Sequence, residues 1–214
     1  MNSPDAGASV PAVLHFTENP PTARWSEIPA APRAQSGTFG GEALSFAPAP
    51  DAHFAGVWTH WAAETFGLHL LDAMLHAMNS TRADHTRDLL AQDAQLAGTF
   101  APEIVVRLRR AGHAMLGRMD GMRGSRSALK FRAAAERGET PGLFPIVFAL
   151  QSAIYNVPAR AALLAYARLE WRAARETQGG PWDHPGEIDS NLILSRIDAR
   201  FHPTIEPAAV AAVR

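Results

Sequence analysis

The sequence predicts an all-α fold: a bundle of about six or seven helices in residues 51–214, behind an extended, proline-rich N-terminal arm in residues 1–50. Two observations carry this. From His53 onward, apolar residues recur at three- and four-residue intervals, the period that gathers side chains on one face of a helix. Prolines and glycines fall at the edges of those runs and crowd the first fifty residues, where they remove backbone donors and oppose helix. Pro4, Pro11, Pro20, Pro21, Pro29, Pro32, Pro48 and Pro50 punctuate the arm, and Leu14, Phe16, Trp25, Phe39 and Phe46 are its candidates for docking onto the core.

The first helix is expected from about Phe54 to Met78, with Leu68, Leu71, Leu75 and Met78 as a core-facing stripe. Thr81, with Asp84 three residues on, reads as the start of a second helix that carries Leu89, Leu90, Ala94 and Leu96 and stops at Gly98. Pro102 opens a third helix through Val105, Leu108, Met115 and Leu116, at the first-turn position where a missing N–H costs least. Asp120 to Ser127 is a loop and Ala128 to Arg137 a helix ending at Gly138. Leu143 to Ile154 has the length of a strand, but its alanines and Gln151 favour a buried helix. Pro158 then opens a long alanine-rich helix, the glycines and prolines of residues 176–186 form a loop, and a short helix spans Glu187 to Arg200.

Composition narrows the chemistry. The 214 residues contain no cysteine, which excludes disulfides, thiolate metal ligands and cysteine nucleophiles. Met1 to Val10 does not read as a secretory signal and no apolar run has the length of a membrane span, so a cytoplasmic chain without a membrane partner is expected. No glycine-rich phosphate loop and no nucleophile elbow occurs, which points away from an enzyme. Charge is uneven: residues 1–100 carry ten acidic and four basic side chains, residues 101–140 four acidic and nine basic. That basic stretch, Arg107 to Arg137, favours an anionic partner. Phe131 is its only aromatic, which argues for a protein surface rather than nucleic acid.

On the long helix, at about 100° per residue, Ala162, Leu163, Tyr166, Leu169, Ala173 and Ala174 share one side. Arg168, Arg172 and Arg175 share the other, flanked by Leu164 and Trp171. The plain reading is a solvated face; the functional one is a partner-binding surface anchored by Trp171, with Arg123 and Arg126 as a second contact. His69, Asp72 and His76, at i, i+3 and i+7 with His60 nearby, offer an alternative, a site for a divalent transition metal. Opposite a core stripe, however, a helix is ordinarily just polar. His184, Glu187, Asp189 and His202 are too scattered for their spacing to argue a metal site.

Two segments resemble a known family. "LLAQDAQLAGTFAPEIVVRLRRAGHAML", Leu89 to Leu116, and "GLFPIVFALQSAIYNVPARAALLAYARLEWRAA", Gly142 to Ala174, are similar in order and spacing to the central and later helices of the urease accessory protein F family. A weaker similarity runs through "ETFGLHLLDAMLHAMNS", so about half the chain is covered. Pro48 to Glu64 does not reproduce the family's early proline-containing signature, and "ETQGG" replaces its continuation after the alanine-rich helix. The resemblance implies an all-α, non-catalytic scaffold or chaperone that dimerises and has no cofactor of its own. Such a scaffold assists nickel insertion, standing between a urease-binding accessory protein and a nickel-delivering GTPase of metalloenzyme maturation.

Overall fold

The structure, a computed structural model, describes Ser45 and residues 54–119, 125–178 and 188–201. Their regular structure is helix throughout, with no strand among the described residues. Helix α1 (Phe54–His60) runs without a break into a π-helical stretch, Trp61–Leu70, and on into α2 (Leu71–Arg82). Then follow α3 (Thr86–Ala97), α4 (Pro102–Leu116), α5 (Arg126–Glu136), α6 (Phe144–Ile154), α7 (Ala159–Gln178) and α8 (Ile188–Phe201). Apart from Ser45, the proline-rich arm, with its five docking candidates, lies outside the described residues, as do residues 51–53, 120–124, 179–187 and 202–214, which include most of the two expected loops.

Helix α6 is the centre of the bundle. Every residue from Phe144 to Ala153 is buried, which its nearly unbroken apolar sequence requires, and α2, α4 and α7 pack around it. Phe144, Phe148 and Tyr166 form an aromatic cluster there, with Phe148 edge-on to Tyr166 at 5.4 Å between centroids. A second cluster joins the first helix to α7: Trp58 stacks on Trp61 at 4.4 Å, and Trp171 meets Trp58 edge-on at 4.9 Å.

The expected Leu68/Leu71/Leu75/Met78 stripe needs correction. Leu68 is 58% exposed and Leu75 half-buried, whereas Leu70, Leu71, Met74, Ala77 and Met78 face the core. The cause is the π-helical stretch. A π-helix closes i→i+5 bonds and turns once in about 4.4 residues, so it rotates more slowly than an α-helix. Burial follows that longer step through Trp61 and Ala62, Phe66 and Leu70, and returns to the ordinary period beyond Leu71.

Thr81 is also not a helix start. It lies inside α2, where its hydroxyl donates to the Ala77 carbonyl at 2.8 Å, and α3 begins at Thr86. Asp84 instead terminates α2 in the left-handed region at φ 58°, while the His85 N–H closes back onto the Ser80 carbonyl at 2.8 Å. Gly138 (φ 74°) and Asn156 (φ 54°) end α5 and α6 in the same way. Pro102 and Pro145 sit in the first turns of α4 and α6, where the backbone N–H has no helical partner.

Candidate functional site

Two buried carboxylates organise the interior. Asp93, fully buried on α3, faces the approach to α6: Thr140 Oγ1 donates to Oδ2 at 2.6 Å, the Gly142 N–H to the same oxygen, and the Leu143 N–H to Oδ1 at 2.9 Å. A carboxylate thus satisfies donors at the N-terminus of α6, where the helix dipole also favours negative charge. Burial nevertheless holds its pKa above the ordinary value, the three hydrogen bonds and the nearby His113 opposing the shift only in part. Alongside, Gly112 of α4 packs against the same backbone. A Cβ built there would lie 2.0 Å from the Gly142 carbonyl oxygen. His113 Nε2, in the tautomer that carries the proton there, donates to the Pro141 carbonyl at 3.0 Å.

The second carboxylate, Glu170 on α7, is wholly buried between Tyr166, Trp61 and Ser45. Tyr166 Oη donates to Oε1 at 2.7 Å, and the Ser45 N–H lies 3.1 Å from both oxygens. Trp61 Nε1 donates to Ser45 Oγ at 2.7 Å. Loss of water pushes the Glu170 pKa up to about 7, against the hydrogen bonds from Tyr166 and Ser45 and the field of Arg107, which favour the ionised form. Burial, followed by the Glu170 charge, also raises the Tyr166 phenol well above its usual range.

The surface carries the sequence candidates. Among the arginines, Arg126 is exposed at the start of α5, Arg172 is exposed on α7, and Arg168 is half-buried. Arg123 lies outside the described residues, and Arg175 falls within α7 but its side chain is not described. Trp171 corrects the expectation of an exposed anchor. It is 7% exposed and packed on Trp58, so it belongs to the core rather than to a contact face. Leu164, at 5%, is turned inward too. Helix α7 is more enclosed than its two-sided pattern suggests because α2, α6 and α8 all pack on it.

His69, Asp72 and His76 line a surface groove of about 520 Å³ whose other walls include Gln92 and Gln95 on α3 and Arg200 on α8. Asp72 is taken up by Arg200, whose Nε donates to Oδ1 at 2.6 Å and whose Nη2 reaches Oδ2. His60 is exposed on α1 and does not line this groove. Among the described residues, no group of three histidine or carboxylate side chains is arranged to hold a metal. Of the scattered second group, Asp189 lies within α8, and His184, Glu187 and His202 lie outside the described residues. No helix among the described residues is long and apolar enough to cross a membrane.

Neither buried carboxylate was picked out from the sequence. Asp93 and Glu170 sit singly inside helices, and their partners lie at sequence separations of 47 to 50 and of 125 residues; Tyr166, four residues before Glu170, was the only local signal. No family model, curated protein or solved structure matches this chain.

Proposed function

We propose that this protein is a non-catalytic helical scaffold resembling urease accessory protein F, acting by protein–protein contact in the maturation of a nickel metalloenzyme. The observation that supports it best is the coupling of the two family-like segments. Asp93 and Gly112 belong to the first, and both engage the backbone at Gly142, where the second begins. A buried carboxylate and a glycine-only approach join them at one point, as a shared helical framework would require. Arg126 and Arg172, both exposed, are the contact residues of this reading, with Arg168 at the edge of the face; the partners are a urease-binding accessory protein and a nickel-delivering GTPase.

Native co-purification from the source cells, with each protein in the eluate identified, tests the assignment. Recovery of a GTPase together with a urease-type apoenzyme is expected. Recovery of the chain alone, or with partners unrelated to metalloenzyme maturation, would overturn it.

A further inference from the structure

We propose that the surface groove between α2, α3 and the end of α8 binds an extended, uncharged segment of a partner polypeptide, reading its backbone with side-chain amides and imidazoles and covering an apolar side chain with leucines. The groove shares no residue with the arginine face of the proposed function and does not depend on that reading.

The groove holds about 520 Å³, within the range of about 300–1,000 Å³ typical of ligand sites. Asp72 and Arg200 are the only charged residues that line it, and they pair with each other, so with neutral histidines the groove carries no unbalanced charge. A phosphate, a nucleic-acid strand or a strongly charged peptide would find no spare counter-charge there. What the groove offers instead is neutral hydrogen-bonding capacity. Asn79, Gln92 and Gln95 each present a carboxamide, with donors and an acceptor on one planar group, and a neutral imidazole such as that of His69 or His76 has one donor and one acceptor nitrogen. None of these five side chains bonds another described residue. A peptide backbone supplies the matching set, one N–H and one C=O at every residue except proline.

The remaining lining is apolar, with Leu68, Leu75 and Leu96 as its large side chains. Leu68 is 58% exposed, more than any other large hydrophobic among the described residues, because the π-helical stretch turns it away from the core. Such stretches within α-helices occur frequently at functional sites. An apolar side chain laid on Leu68 and Leu75 recovers the burial that this turn gives up. Among the described residues no aromatic ring lines the groove, so it lacks the stacking surface that a base or another planar ring would use. A sugar would leave the leucines uncovered. An uncharged peptide with an apolar side chain satisfies both halves of the lining.

Panning the full-length protein against a phage-displayed library of random heptapeptides, then titrating the enriched peptide with blocked ends into nitrogen-15-labelled protein, tests the proposal. Enriched sequences should carry leucine-sized apolar residues and no net charge, and the peptide should shift the side-chain carboxamide signals of Asn79, Gln92 and Gln95. Its Kd should change little between low and high salt. The double variant Gln92→Ala, Gln95→Ala should weaken binding by about tenfold or more, as expected for two lost hydrogen bonds, with helical circular dichroism unchanged. Leu68→Ala, which trims an exposed side chain and leaves the core intact, should weaken it several-fold and decides the matter if the double variant loses helix. A library that yields no enriched sequence, charged binders with steep salt dependence, shifts confined to another surface, or native affinity in a folded variant would each overturn the assignment.

Discussion

Asp93 shows how much of this fold can rest on a single side chain. Its two oxygens take one hydroxyl and two backbone N–H groups, all buried, and nothing else among the described residues bonds those donors. Removing the carboxylate leaves them unsatisfied, so Asp93→Ala should lower stability by about 3 kcal/mol, measured as a shift in the urea unfolding midpoint. Glu170 makes a different contribution, because it titrates. Its folded pKa lies above the unfolded value, so the native state keeps a proton that the unfolded chain gives up. The stability it adds is complete below pH 4.5 and is lost as pH rises to about 7. The amount at stake is on the order of 3 kcal/mol. Urea unfolding at pH 5 and pH 7.5 should show that loss in the native chain and not in Glu170→Gln, and an equal loss in both would show that other groups cause it. Sequence gives little warning of either residue. A lone carboxylate among alanines and leucines looks like ordinary helix polarity until distant backbone arrives beside it.

At the scale of elements, the helix boundaries were largely legible because local chemistry sets them. Pro102 and the apolar run from Leu143 announced α4 and α6, Gly98 ended α3, and Gly138 ended α5. The misreadings also have local causes. Asp84 suits a left-handed terminator as well as a capping partner, and only the return of the His85 N–H to the end of α2 distinguishes the two. Leu68 was misplaced by an assumed α-helical period, although the spacing from Trp61 to Phe66 to Leu70 already follows the longer step. Trp171 was misplaced because helix periodicity separates two faces without saying whether both are covered. Close approach gives a sharper prediction. Gly112→Ala drives a methyl group into the Gly142 carbonyl and should cost about 3 kcal/mol. Gly117→Ala, where the nearest atoms are 3.6 Å away and the backbone is helical, should be neutral or stabilise by about 0.5 kcal/mol. Thermal unfolding of the two variants separates the effects, and equal melting points would refute the packing argument.

For the whole molecule, ion pairs at the periphery anchor the last helix: Arg160 of α7 holds Asp198 of α8 at 2.9 Å, and Arg200 of α8 holds Asp72 of α2. The central α6 needs no such partners, since it is enclosed on all sides. The exterior of the described residues carries most of the charged side chains, with Leu68, Val106, Leu129 and Tyr155 exposed among them, and the proposed function depends on that exterior. Substituting Arg126 and Arg172 together by alanine should abolish capture of the GTPase and the accessory partner while leaving helical circular dichroism unchanged; undiminished capture would remove these arginines from the contact face. The π-helical stretch has a consequence for chain length. Its ten residues make about 2.3 turns, which an α-helix completes in about eight. The segment therefore carries about two residues more than its rotation requires. A chain lacking one or two of them could present the same faces before and after the stretch, with part or all of it closing as ordinary α-helix, whereas one lacking three could not without twisting α2 away from α6. Deletions of one or two residues between Trp61 and Leu70 should accordingly be tolerated, and a deletion of three should not.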